Sequence, residues 1–465
     1  MFIGRKRELD FFEKKYNSTK GELIILYGRR RVGKTETLKQ FSQNKPHVFF
    51  SCTEVSDQDQ IKNFSQQVLQ KNIPAAKYIS CFPDWAAAFE SIKELPFEEK
   101  KLLIIDEFPY MARSNPSIPS VLQNLWDNEL KDQNVMIVLC GSSMSFMEKE
   151  ILSEKNPLYG RATGILKMEE LDYAEAANFF PEYTPEEKIT AYSILGGIPH
   201  YLKQFDPGLS VKENVIENIL TRGSILFNEV EFLMRQELRE TATYNSVITA
   251  IALGNTKMND IFQKTQIEKT KLSVYLKNLM DLGIIRREFS MEATTKEHGN
   301  VQRGLYRLTD NYFRFWYRFV FPNMSELESG DASGIWNHAI EPVLNEYVSY
   351  IFESACMQYL RKQNREEALP FHFTRIGRWW DKTNELDIMA ATETGKDYLI
   401  GECKFKNSCF NISDLKHMQE KFHPTEPDCS VYHFLFSKGG FSEELLNFAN
   451  TDKTVRCVTL ENLFE

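Results

Sequence analysis

Eight residues, Gly28-Arg29-Arg30-Arg31-Val32-Gly33-Lys34-Thr35, constrain this chain more than any other stretch. They follow the apolar run Leu23-Ile24-Ile25-Leu26-Tyr27 and precede the helix-compatible Glu36-Thr37-Leu38-Lys39-Gln40-Phe41, which sets the pattern GxxxxGK[ST] between a strand and a helix. Glycines let the backbone bend tightly, so that successive amide N–H groups face a phosphate while the helix start adds its positive end. On this reading Gly28, Arg29, Arg30, Arg31, Val32, Gly33, Lys34, Thr35 and Glu36 line a nucleotide. Lys34 reaches the β- and γ-phosphates of ATP, and the Thr35 hydroxyl is a ligand for Mg²⁺.

A second strand pattern, Lys101-Leu102-Leu103-Ile104-Ile105, ends abruptly in Asp106-Glu107. A Walker B strand has this form: Asp106 holds the metal and Glu107 orients and deprotonates the attacking water. A third, Val135–Gly141, stops at Ser142-Ser143, where small hydroxyls either sense the γ-phosphate or serve as turn residues.

At 465 residues with 42% hydrophobic content, 34 Phe and 19 Tyr, the chain has material for several folded cores. The formal charge of −9 argues against a wholesale polyanion binder but leaves room for a local basic surface. Eight scattered cysteines without a CxxC pair read as reduced thiols of a cytoplasmic protein. No apolar signal core or membrane-length run is visible.

Strand and helix patterns alternate over residues 1–168, which predicts a parallel sheet with strands near 23–27, 47–51, 102–106, 135–140 and 163–168. Residues 169–239 turn helical, as a lid. Over 240–320, three helical stretches (Tyr244–Leu253, Met258–Lys264, Lys269–Leu282) precede two strand-like pieces, 283–289 and 304–308, the plan of a winged helix. Residues 244–310 hold ten Lys/Arg against seven Asp/Glu, a local +3. Lys269, Lys271, Lys277, Arg286 and Arg287 form either a phosphate footprint for DNA or part of an intramolecular contact. The small polar stretch within 321–336 reads as a linker.

Residues 337–465 form a further domain. A helix from Ala339 to about Arg361 carries Glu353, and two strands, Glu385–Ala390 and Tyr398–Phe405, are joined by Thr392–Lys396. A hairpin centred on Thr394-Gly395 places Asp387 opposite Glu402; one centred a residue later places it opposite Lys404. Either register clusters Asp387, Glu402 and Lys404. Two carboxylates that bind Mg²⁺ and a lysine that positions water suit phosphodiester hydrolysis, with Glu353 as a third acid; a structural salt bridge is the other use of the same residues.

Phe2-Ile3-Gly4-Arg5, the loop Tyr27–Thr35, Ile105-Asp106-Glu107-Phe108, Pro157-Leu158-Tyr159-Gly160-Arg161 and Gly196-Gly197-Ile198-Pro199-His200-Tyr201-Leu202 together resemble the archaeal-type ATPases of the AAA+/STAND group. The resemblance implies that Ile3, Gly4 and Arg5 lie by the adenine, that Arg161 contacts a γ-phosphate of its own or a neighbouring copy, and that Pro199 belongs to a lid motif. Ser142 joins the nucleotide site. Gly377–Asp381, Asn384–Asp387 and Gly401–Lys404 resemble PD-(D/E)XK nucleases, which implies a site of Glu353, Asp387, Glu402 and Lys404 with metal on Asp387 and Glu402.

The expected fold is therefore α/β: a P-loop NTPase parallel sheet with a helical lid, a winged helix and a C-terminal restriction-endonuclease-like domain. The expected activity is Mg·ATP hydrolysis coupled to a nuclease-like domain on DNA. Alternatives are a nucleotide-dependent protein-interaction switch and a DNA-binding regulator, each with an inactive nuclease-like scaffold.

Overall fold

The computed structural model describes residues 2–238, 240–293, 298, 304–424 and 428–465. The chain forms two compact units, Met1–Leu171 with Ile198–His200, and Asp172–Gly197 with Tyr201–Glu465.

In the first unit, β1 (Glu22–Tyr27), β2 (His47–Ser51), β3 (Lys101–Asp106), β4 (Val135–Gly141) and β5 (Gly164–Lys167) form one sheet in the order β2-β3-β4-β1-β5. Every pairing is parallel. β1 and β4 are buried at every residue, which is why their sequences are unbroken apolar runs rather than alternating ones. The sheet ends within a residue or two of each expected strand. One face packs on an aromatic cluster in which Phe64 meets Phe50, Trp85 and Phe89 at centroid distances of 5.2, 5.5 and 5.9 Å. Parallel strands all point the same way, so the loops after β1, β3 and β4 gather at one sheet edge, where ligands bind in open α/β folds.

The second unit contains two sheets. Helices Thr241–Ala252, Met258–Thr265 and Lys269–Asp281 precede a small antiparallel ladder of β6 (Ile285–Glu288) and β7 (Leu305–Leu308). The larger sheet has the order β12-β11-β10-β9-β8, from β8 (Arg375–Trp380), β9 (Glu385–Ala391), β10 (Asp397–Lys404), β11 (Ser430–Ser437) and β12 (Val455–Thr459). β10, β11 and β12 run parallel, and β8 and β9 are antiparallel additions. The chain beyond β6 lies along the outer edge of β8: Met291 N–H donates to Arg378 O at 2.8 Å, and Ser290 Oγ bonds Trp380 O and Trp380 N–H at 3.0 Å each.

Residues 321–336, expected as a linker, are largely helical. Phe321–Asn323, Met324–Glu328 and Ala332–Ile335 are short helices. Leu327, Ala332, Ile335 and Trp336 are buried, and Asp331 caps its helix by accepting from Gly334 N–H at 3.0 Å. Polar composition concealed this scattered set of buried apolar side chains.

Candidate active site

The turn from β1 into the helix Lys34–Ser42 bends at Arg31 (φ 69°) and Gly33 (φ 96°). At Gly28 a Cβ would lie 2.4 Å from Met168 O, so any larger residue would push the loop off β5. Gly33 faces Pro199, whose Cγ lies 3.7 Å from the position of a Cβ there. Buried Arg5, itself at φ 67°, donates from Nη2 to Val32 O at 2.7 Å and pairs with Glu8 at 2.9 Å; Gly4 before it has φ 74°. The Ile3-Gly4-Arg5 segment is thereby tied to the backbone of the loop.

The Lys34 ammonium donates to Gly28 O and Arg29 O at 2.8 and 2.9 Å, bridging the cradle. Burial pulls its pKa below the usual lysine range, and Glu107 and Asp106 act in the opposite direction. Thr35 Oγ1 donates to Asp106 Oδ2 at 2.7 Å, while Asp106 Oδ1 accepts from Glu107 N–H at 3.1 Å. Glu107 sits in the left-handed region at φ 53°, and its Oε2 accepts from Ser142 Oγ at 2.8 Å. The strand ends of β1, β3 and β4 therefore bring Lys34, Thr35, Asp106, Glu107 and Ser142 together. The exposed Glu36 carboxylate turns to Lys39 at 3.1 Å. These residues fit Mg·ATP in their chemistry: a hydroxyl and a carboxylate, both oxygen donors suited to the metal, already meet across the loop.

Arg161 lies elsewhere. Thr163 N–H bonds Leu23 O at 2.8 Å and Gly164 registers with Ile24, so Arg161 is near the start of β1, whereas the loop leaves its end. Strand rise puts about 16 Å between those two levels. Asp127 holds the arginine, with both carboxylate oxygens on Nε at 3.0 and 2.9 Å and an Nη2 contact of 2.8 Å.

In the second unit, Gly401 registers with Ile388, so the next pair along is Asp387 with Glu402, the first of the two expected registers. Asp387 Oδ2 accepts from Cys403 N–H at 2.8 Å. Glu353, from the helix Leu344–Arg365, has its carboxyl pushed up to about 8 by burial and then by Asp387. Burial and the Asp387 charge push Glu402 up to about 7, and burial raises Asp387 as well. The cations that answer these acids differ from expectation. Lys404 turns to Asp414 at 3.3 Å and lies over the Phe410 ring. Lys421, from the helix Ile412–Lys421, pairs with Glu402, and Arg378 of β8 pairs with Glu353 at 3.3 Å and Glu385 at 3.1 Å. Neither Lys421 nor Arg378 is identifiable from spacing, since each comes from a separate element. Among the described residues, no three His, Cys, Asp or Glu side chains are grouped so that they could hold a metal ion; Glu353 and Glu402 are paired with cations instead, while Asp387 accepts from the Cys403 amide.

Residues 2–205 match a family described as "ATPase domain predominantly from Archaea", and residues 316–419 match one described as "Archaea bacterial proteins of unknown function". Uncharacterized protein MJECL04 of Methanocaldococcus jannaschii is 34% identical over 408 residues, 88% of this chain and 88% of that protein. The chain belongs to this archaeal P-loop ATPase family. A shorter stretch of 45 residues, 10% of the chain, is 62% identical to Uncharacterized ATP-binding protein MJ0423 of the same organism and spans 76% of it. The fold of the archaeal ATPase family recurs in the Walker-type ATPase PABY2304 of Pyrococcus abyssi, at a TM-score of 0.50 and 22% identity over 68% of this chain and 96% of that one. All eight cysteines of this family member are free, and among the described residues no helix is long and apolar enough to cross a membrane.

Proposed function

We propose that the protein binds Mg·ATP at the loop 28–35, hydrolyses it, and couples its nucleotide state to a C-terminal half that acts on DNA. The hydrogen bond from Thr35 to Asp106 carries the first part, because it joins the two halves of a P-loop site across the sheet edge. Similarity to a protein named ATP-binding supports the same reading. Loop amides and the Lys34 ammonium bind the phosphates, Lys34 exchanging the Gly28 and Arg29 carbonyls for phosphate oxygens. Thr35 and Asp106 would hold the metal, which would supply charge neutralisation on the transferred phosphoryl group. Glu107, aimed by Ser142, takes the proton of the attacking water.

Arg161 is assigned to the nucleotide of a second copy, because its own cradle is at the other end of β1. Lys34→Ala should lose ATP binding by calorimetry and all phosphate release. Mixing Lys34→Ala with Arg161→Ala chains should then restore part of the turnover, and no recovery would remove the assignment between copies.

The 240–320 region is read as a winged helix and residues 337–465 as a PD-(D/E)XK-like nuclease domain, supported by the helix order, the β6/β7 ladder and the Asp387–Glu402 pairing. Asp387→Asn should abolish Mg²⁺-dependent nicking of plasmid while leaving ATP turnover intact. The pairing of Lys421 with Glu402 and of Arg378 with Glu353 favours a second reading, a scaffold that holds DNA or a protein without cleaving it. Nicking at equal rates in wild type and Asp387→Asn would decide for the scaffold.

A further inference from the structure

Guanidinium groups crowd one face shared by the β6/β7 ladder and the helix Leu344–Arg365. Arg286 and Arg307 stand directly opposite each other across the ladder, a placement that destabilises a sheet when the charges are alike. Arg307 lies 4.8 Å from the centroid of the Tyr350 ring, and Arg314 lies 4.4 Å from the same ring and 4.6 Å from that of Tyr347. Arg361 falls three turns beyond Tyr350 on the same helix. At 100° per residue it returns to within about 20° of the same side, about 16 Å further along.

Carboxylates do not balance this charge. Glu288 reaches Arg307 at 3.3 Å and Arg286 at 3.9 Å, but it also serves Arg378 at 3.9 Å. Among the described residues Arg314 and Arg361 have no ion-pair partner, and Arg314 Nη1 is buried without a hydrogen bond. Burial depresses both guanidinium groups, and neighbouring arginines add to it: Arg318 and Arg307 for Arg314, Arg286 and Arg365 for Arg361. An anion with several oxygens would relieve such crowding, and the planar fork of arginine matches phosphate.

We propose that Arg286, Arg307, Arg314 and Arg361 form a track for the phosphate oxygens of a nucleic-acid strand, laid along the 344–365 helix and leading to Glu353. The track rests on the reading that the C-terminal half acts on DNA, and it moves the phosphate contacts away from Lys269, Lys271 and Lys277 of the helix Lys269–Asp281. Glu353 lies one turn beyond Tyr350, so a strand seated on the arginines passes the carboxylate cluster.

Anisotropy of labelled single-stranded and duplex oligonucleotides tests the track on the full chain, at low and moderate salt. Arg286→Gln/Arg361→Gln should weaken binding at least about tenfold at low salt and flatten the log–log salt slope by about 1.4 for a single strand or about 1.8 for a duplex. The triple variant Lys269→Gln/Lys271→Gln/Lys277→Gln should stay near wild type. The single variant Arg286→Gln breaks up the opposed arginine pair, so its thermal midpoint should hold or rise even as affinity drops.

Wild-type affinity in the arginine double variant, with loss in the lysine triple, would overturn the track and leave the DNA reading in place. Absence of oligonucleotide binding by the wild-type chain would overturn both. Saturable binding of inorganic pyrophosphate without any oligonucleotide affinity would make the seat one for small polyphosphates and overturn the strand. A midpoint lowered by Arg286→Gln at unchanged affinity would leave that arginine a structural role only.

Discussion

Glu107→Gln should bind ATP with near wild-type affinity and hydrolyse it about 10²–10⁴-fold more slowly, the usual contribution of a positioned general base. The substitution keeps the size of the side chain and its acceptor for Ser142 Oγ, which lies at 2.8 Å, so the site is not expected to collapse. It removes only the basic oxygen. Glu107 is held in the left-handed region, where Gln has the same backbone preferences, so the strain of that turn is unchanged. Single-turnover phosphate release beside nucleotide calorimetry separates the two effects. A variant that hydrolyses at the wild-type rate would take the water-activating role from Glu107; one that no longer binds would make its carboxylate part of the cradle.

Trp316→Ala should cost about 3–5 kcal/mol in the second unit, the range for deleting a buried aromatic side chain. The indole is 1% exposed, packs against Tyr317 and Phe321 at centroid distances of 5.0 and 5.4 Å, and donates from Nε1 to Phe227 O at 2.8 Å. Truncation therefore opens a cavity and strands a buried carbonyl. In a unit this large each kcal/mol lowers the midpoint by about 2–4 °C, so the second-unit transition should fall by roughly 10 °C. Trp316→Phe keeps most of the volume and loses the donor, and should cost about 1 kcal/mol. Equal losses for both variants would mean that the hydrogen bond, not the packing, holds this corner.

The first unit is legible in the sequence because its central strands β1, β3 and β4 are buried on both faces. Leu23–Tyr27 and Val135–Cys140 leave no solvent side to blur the pattern, and the nucleotide chemistry sits within a residue or two of their ends. The three helices and short ladder of the 240–320 region are equally visible, through the periodicity of their apolar residues.

The C-terminal half is harder to read. Only β9 and β10 announce themselves, being close in sequence with a turn between them, whereas β11 and β12 are reached through intervening helices. Carboxylates Asp387 and Glu402 follow from alternation along that hairpin. Their cations do not: Lys404 shares a strand with Glu402 yet turns to Asp414, and Lys421 arrives from a helix whose placement depends on the tertiary fold. The polar stretch 321–336 misleads for a related reason, since averaged composition cannot show that Leu327, Ile335 and Trp336 are buried.

Residues 290–291 cover the outer strand of the larger sheet with one backbone bond from Met291 and two bonds through the Ser290 hydroxyl, from a module some ninety positions earlier in the sequence. Cutting the chain between these regions would bare a row of unpaired amide and carbonyl groups, the kind of template on which separate molecules stack into aggregates. The C-terminal half is thus not a detachable cassette: its solubility is written partly into the segment that precedes it.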